Sequence, residues 1–160
     1  MRTQDIRYIV LHCSATRSDR PYSPEALERD HHARGFHGAG YHFYIRQSGE
    51  LIPLRPLHQI GAHAKGYNSC SWGICYEGGL DPNGKATDTR TEAQKTTLRQ
   101  LLLRLKGLAP QAEILGHRDL SPDRNGDGCI EPSEWIKLCP CFDARTEYKH
   151  LTSASISHGK

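Results

Sequence analysis

Between Gly116 and Asp143 the chain carries one histidine, six carboxylates, three cysteines and a lysine within 28 residues. Two chemistries are mixed there, and ligand softness separates them. Asp123, Asn125 and Asp127 alternate, Gly128 follows, and Glu134 closes the run in the D-x-[DN]-x-[DN]-G-x5-E order of a calcium loop. In that reading the side chains at 123, 125 and 127 supply oxygens, and Cys129 offers its backbone carbonyl rather than its sulfur. Glu131 reaches the ion through water, and Glu134 binds with both oxygens. An all-oxygen set suits a hard cation such as Ca2+. The flanks differ from an EF-hand, because "HRDLSP" stands where a helix would be. The expectation is a lone calcium loop inserted near a strand end, and the alternative is a solvated acidic turn with no ion.

The soft donors bracket that loop. His117 precedes it, and Cys139 and Cys141 follow it. Neutral imidazole and thiolate are zinc ligands, and a catalytic zinc takes three protein ligands and leaves a position open. A further donor must come from elsewhere, and His12 in "IVLHCSAT" ends an otherwise apolar run. Taken singly, each of these histidines reads more readily as a structural residue than as a ligand. Spacing does not decide, because about a hundred positions separate His12 from the other candidates.

The elements that must position these donors follow from pattern. "RYIVLHC" is rich in β-branched and apolar residues and reads as a buried strand. "SPEALERDHHARGF" opens a helix with Ser23 as N-cap and Pro24 at its first position, with Gly35 as the stop. "YHFYIRQ" and "ELIPL" form a hairpin around "SG", "WGICYEGG" is another buried strand, and "DPNGK" is a turn. In "TEAQKTTLRQLLLRLKGLAP", Thr91 and Gln94 make a capping box. Leu98, Leu101, Leu102 and Leu105 share one helical face, with Gly107 and Pro110 ending the helix. "AEILGH" is the last strand. The order predicts an α/β fold of the α+β type: a central mixed sheet flanked by helices, with the soft donors at the sheet edge and the calcium-like loop inserted near the C-terminus. One domain over residues 1–150 and a polar tail over 151–160 are expected.

Composition narrows the class. Twenty-one Lys and Arg against eighteen Asp and Glu leave a net charge of +3, too small and too scattered for nucleic-acid binding. No run approaches the ~20 apolar residues of a membrane span. The N-terminal residues lack the charged leader and apolar core of a signal peptide. The expectation is synthesis into the cytoplasm, with any passage to the outside through a holin or another signal-independent route. Six cysteines in such a chain read as free thiols or metal ligands, with a Cys70–Cys75 disulfide after export left open.

The segments "IVLHCSAT", "GYHFYIRQSG", "GAHAKGYNSCSWGICYEGG", "TEAQ…LRQLL", "GHRD" and "KLCPCFD" occur in one order over residues 6–143. As an ensemble they resemble the type-2, zinc-dependent N-acetylmuramoyl-L-alanine amidases, in particular phage lysozyme-amidases related to animal peptidoglycan-recognition proteins. The resemblance implies a hydrolase that cuts the amide between N-acetylmuramic acid and L-alanine with a zinc-activated water. Its alternative is a non-catalytic muropeptide-binding module of the same fold. By position it implies His12, His117 and Cys139 as zinc ligands, with Cys141 a neighbour where the family usually has Ser. Tyr41 and Lys137 take the catalytic positions, and His63 and Asn68 fall in the segment that contacts substrate. The implied partner is peptidoglycan or a muropeptide, met by a monomer, and the implied cofactor is Zn2+, with Ca2+ in the acidic loop. His42 should face away from Tyr41 and read as a packed core histidine. His31, His32 and His37 flank the first helix without assigned chemistry. Asp119 either orients a ligand histidine or caps the following turn.

Overall fold

The computed structural model describes residues 1–153; the end of the polar tail, 154–160, lies outside the described residues. At its centre, β1 (Tyr8–Cys13) runs parallel to β5 (Ser71–Tyr76) on one side and to β7 (Glu113–Gly116) on the other. β3 (Phe43–Ile45) lies parallel to β5, and β4 (Leu51–Pro53) closes the sheet antiparallel to β3. The order is β4-β3-β5-β1-β7. β1 and β5 are interior and buried on both faces, which explains why both read as near-continuous apolar runs rather than alternating ones.

The two faces differ. Ile9, Leu11, Cys13, Trp72, Ile74 and Tyr76 point toward α2 (Glu92–Leu108). There Leu98, Leu101, Leu102 and Leu105 bury the stripe expected from their spacing, each contributing about 2 kcal/mol of apolar burial. Thr91 Oγ accepts from Gln94 N, and Gln94 Oε1 accepts from Thr91 N, so the capping box forms as read. The helix runs through Gly107 and ends at Leu108. It is Ala109, held out of helical geometry ahead of Pro110, that stops it, not the glycine. The opposite face carries Leu27 of α1 (Pro24–Ala33), Tyr44 and Cys75. Ser23 caps α1 by accepting from Ala26 N.

Two features were not expected. A two-stranded parallel pair, β2 (Thr16–Arg17) with β6 (Gly79–Leu80), closes the far end of β1 and β5. The chain after Cys139 folds back onto the core instead of trailing away: Phe142, Ala144, Tyr148 and Leu151 are buried, with short helices α3 (Ala144–Glu147) and α4 (Lys149–Ser153). The expected tail thus begins with helical residues and a buried leucine. Cys70 and Cys75 stand at opposite ends of β5, five residues of extended chain apart, or about 16 Å. A disulfide between them is ruled out by that separation, and all six cysteines are free thiols. Among the described residues no helix is long and apolar enough to cross a membrane.

Candidate metal centre and catalytic site

Three segments that are distant in sequence meet where β1 ends. His12 alternates with Leu11 and Cys13, so it projects from the face opposite α2, in register with Cys75. His117 opens the short 3-10 turn His117–Leu120 directly after β7, which pairs with β1. Asp119 Oδ2 accepts from Gly116 N at 2.8 Å. Of its two readings, the cap is the one the structure shows. Cys139 returns from the insertion and accepts the Cys13 backbone N–H at 3.2 Å. A side chain at position 116 would strike Pro140 at 2.6 Å, so Gly116 leaves room for that return. The result is one cluster: a ligand atom from each of His12, His117 and Cys139, all within 4.8 Å of one another. It is the group of this kind that the described residues contain.

Burial tunes the donors. His12 is held well below the ordinary imidazole range by burial, with the nearby His63, His117 and Lys137 adding to it. Burial also lowers His117 to about 4, reinforced by the charge of Lys137. Both rings are therefore neutral at pH 7, with lone pairs available to a metal. Lys137 is exposed at the rim, and its ammonium acts on both rings. The Tyr41 ring lies 5.0 Å from His12 and 5.4 Å from His31. Burial lifts its phenol well above the usual range. His31 holds the Tyr41 segment by accepting from Gly40 N at 2.8 Å, whereas His32 and His37 are exposed. Cys141 Sγ stands 3.9 Å from Cys13 Sγ, outside the donor cluster. The hydrogen bond with Cys139 raises the Cys13 thiol to about 12.

His63 and Asn68 both have partners inside the protein. His63 is 8 % exposed and bonds inward, with Nδ1 2.9 Å from His12 Nε2. Asn68 Oδ1 accepts from His63 N and Ala64 N, both at 2.9 Å, so it shapes the loop. These bonds hold the 61–70 loop against β1 and β5. His42 is a core histidine as expected, accepting from Gly73 N and bonded to Gln59 O.

The acidic loop behaves differently. Asp123 accepts from Gly126 N and Gly128 N, Asn125 from Asp127 N, and Asp127 from Cys129 N. Glu134 is buried and accepts from Arg124, Asn125 and Glu131 N–H groups, which hold its carboxyl below the usual range. Glu131 is exposed. The loop's side-chain oxygens thus close the loop upon itself. Trp135 stacks under Arg118 at 3.9 Å, and Ser121 Oγ accepts from Ile136 N, so the insertion is pinned to the turn that bears His117. That anchoring keeps Lys137 and Cys139 at the site despite the extra residues.

The family model described as N-acetylmuramoyl-L-alanine amidase matches residues 2–130. The chain belongs to this amidase family. The amidase is 32% identical to the endolysin of Klebsiella phage KP32 over 158 residues, 99% of this chain and 95% of that one. Among solved structures it is similar to the N-acetylmuramoyl-L-alanine amidase LysC from Clostridium intestinale URNW (TM-score 0.71, 26% identity, 93% of this chain and 87% of that one). A Drosophila PGRP-LB variant in complex with tracheal cytotoxin shares the fold (TM-score 0.67, 22% identity, 90% of this chain and 80% of that one). The family match stops before Lys137 and Cys139, and it is the geometry that brings Cys139 to the two histidines.

Sequence reasoning missed the inner partners of the site. Ser71, Gly73 and Cys75 are the small residues of β5 that share the His12 face, and they alternate with Trp72, Ile74 and Tyr76. That alternation of small and large was the available signal: one face of a buried strand was left open for rings to lie against it.

Proposed function

We propose that the protein is a zinc-dependent peptidoglycan amidase, cleaving the bond between N-acetylmuramic acid and L-alanine. The observation that carries this reading is the convergence of His12, His117 and Cys139 beside Tyr41. The donor set fits the ion: two neutral imidazoles and one sulfur are ligands for zinc and poor ones for calcium or magnesium. Zinc held there supplies a Lewis acid for a water and for the scissile carbonyl. Tyr41 keeps its proton at neutral pH and so serves as a hydrogen-bond donor that orients water or a substrate oxygen. Lys137 places a positive charge where the carbonyl oxygen becomes anionic, and one such preorganised group contributes about 3 kcal/mol. Kinship with a phage endolysin and a clostridial amidase supports hydrolysis of cell-wall polymer. A fold neighbour seen with tracheal cytotoxin supports a muropeptide as the ligand class. A binding module without chemistry would have no use for a complete His–His–Cys set flanked by Tyr41 and Lys137.

The test is a digest of purified peptidoglycan by the wild type and by Cys139→Ser, scoring new L-alanine amino groups and new reducing sugar ends. Amino groups released by the wild type alone are expected. Reducing ends would mean a glycosidase, and binding without products would mean the recognition module. For the acidic loop the proposed ion is calcium, supported by the match at Asp123, Asn125, Asp127, Gly128 and Glu134. Calcium should raise the unfolding temperature of the wild type and not of Asp123→Asn/Asp127→Asn. Equal melting with calcium and with chelator removes that assignment.

A further inference from the structure

His12 offers the metal cluster only one of its two ring nitrogens, because Nε2 is engaged with His63. The direction of every bond behind it follows from a group that cannot donate. The Tyr67 carbonyl is an acceptor only, so Ser71 Oγ, 2.7 Å away, donates its proton to it. Ser71 Oγ then accepts from His63 Nε2 at 3.2 Å, which places the His63 proton on Nε2. His63 Nδ1 is left bare and accepts from His12 Nε2–H at 2.9 Å. His12 Nδ1 therefore carries the free lone pair. His42, whose ring is 5.9 Å from that of His63, does not compete. Its Nδ1 accepts from Gly73 N, so its Nε2–H donates to Gln59 O.

The surroundings of His63 are built to hold its ring. A side chain at position 73 would meet the ring at 2.6 Å, and one at position 61 would meet it at 2.7 Å. Asn68 fixes the backbone at His63 and Ala64. Ser71 is fully buried.

We propose that His63 is a positioning residue: through the chain Tyr67–Ser71–His63 it sets the tautomer and orientation of His12 and presents His12 Nδ1 to the metal. This rests on the zinc reading above. It gives the direction of the chain a purpose that a substrate contact would not need. Outer-sphere partners of a ligating histidine typically change metal affinity by about 10–100-fold when removed.

The test measures zinc affinity without substrate, by competition with a chromophoric chelator, for wild type, His63→Ala, His63→Gln and Ser71→Ala. Glutamine keeps both roles, since its carbonyl accepts from His12 and its amide donates to Ser71. We expect zinc binding weakened about 10–100-fold in His63→Ala, largely restored in His63→Gln, and weakened less in Ser71→Ala. Turnover should fall in His63→Ala, with KM near that of wild type. A folded His63→Ala that binds zinc like wild type and raises only KM would make His63 a substrate contact and overturn the proposal. Where the alanine variant does not fold, nitrogen-15 spectra of metal-free wild type decide: His12 protonated at Nε2 is expected, and protonation at Nδ1 overturns it. Wild type without zinc affinity would instead overturn the metal reading itself.

Discussion

The same 28 residues raised two metal hypotheses, and the two regions came out unlike each other. At the His12–His117–Cys139 cluster, three segments on a rigid sheet end with donors aimed at one another. In the acidic loop, Asp123, Asn125, Asp127 and Glu134 accept hydrogen bonds from the loop's own backbone. Such bonds satisfy the carboxylates locally and hold the loop's shape. In the soft cluster the donors come from separate elements and face one another, with His12 Nε2 turned to His63 and Cys139 Sγ accepting the Cys13 N–H. Convergence of soft donors from separate elements is a stronger sign of a metal centre than donor spacing within one loop.

The largest expected effect tests the cluster. Cys139→Ser should lower amidase activity by more than about 100-fold, beyond the range typical of outer-sphere changes, while the far-ultraviolet spectrum stays native. Retained activity would break the distinction between the two regions at its stronger end.

The next tests the strap that delivers Cys139. Arg90, its side chain 1 % exposed, bonds Asp88, Glu147 and Tyr148, and stands 3.4 Å over the Phe142 ring. Tyr76 donates to Pro140 O at 2.7 Å. Arg90→Ala should cost about 2 kcal/mol in urea unfolding, because it removes charge-assisted hydrogen bonds to two half-exposed carboxylates and the contact with Phe142. Zinc affinity should fall with it. An unchanged midpoint would mean that the strap is held by apolar burial alone.

Glu134→Gln sharpens the weaker side. It exchanges a carboxylate bonded to three backbone amides for a neutral amide, at a cost of about 1–2 kcal/mol. Activity should drop several-fold, through looser presentation of Lys137 and Cys139. Full stability and activity in calcium chelator would show that the loop does not position the site.

The smallest effect is on acid stability. The hydrogen bond to Arg90 holds the Glu147 carboxyl below its ordinary 4.5. A depressed carboxylate contributes stability above its unfolded pKa, and that contribution is lost as pH falls through the folded value. Unfolding free energy should therefore decline below about pH 4.5 in wild type. The decline should be shallower in Arg90→Ala.

What was legible in the sequence was local. The α2 capping box at Thr91 and Gln94, its leucine stripe, and the Ser23 cap all depend on residues within a few positions of each other. The ends of elements were less clear: Gly107 reads as a stop but lies inside the helix, since a solvent-facing glycine is tolerated there. The proposed zinc ligands were legible only through a resemblance that carried positions across some hundred residues. The hydrogen bonds of His63 and Ser71 were illegible, because their direction depends on which strand lies behind which ring. The C-terminal helices were hidden by short length, with Phe142, Tyr148 and Leu151 too widely spaced to show a periodic face.

The soft cluster, and not the acidic loop, is the proposed zinc centre. The direct measurement is the zinc content of wild type, Cys139→Ser and Glu134→Gln after equilibration with zinc and desalting. Stoichiometric zinc in wild type and Glu134→Gln, with none in Cys139→Ser, is the expected result. Zinc kept by Cys139→Ser, or lost by a folded Glu134→Gln alone, would contradict it.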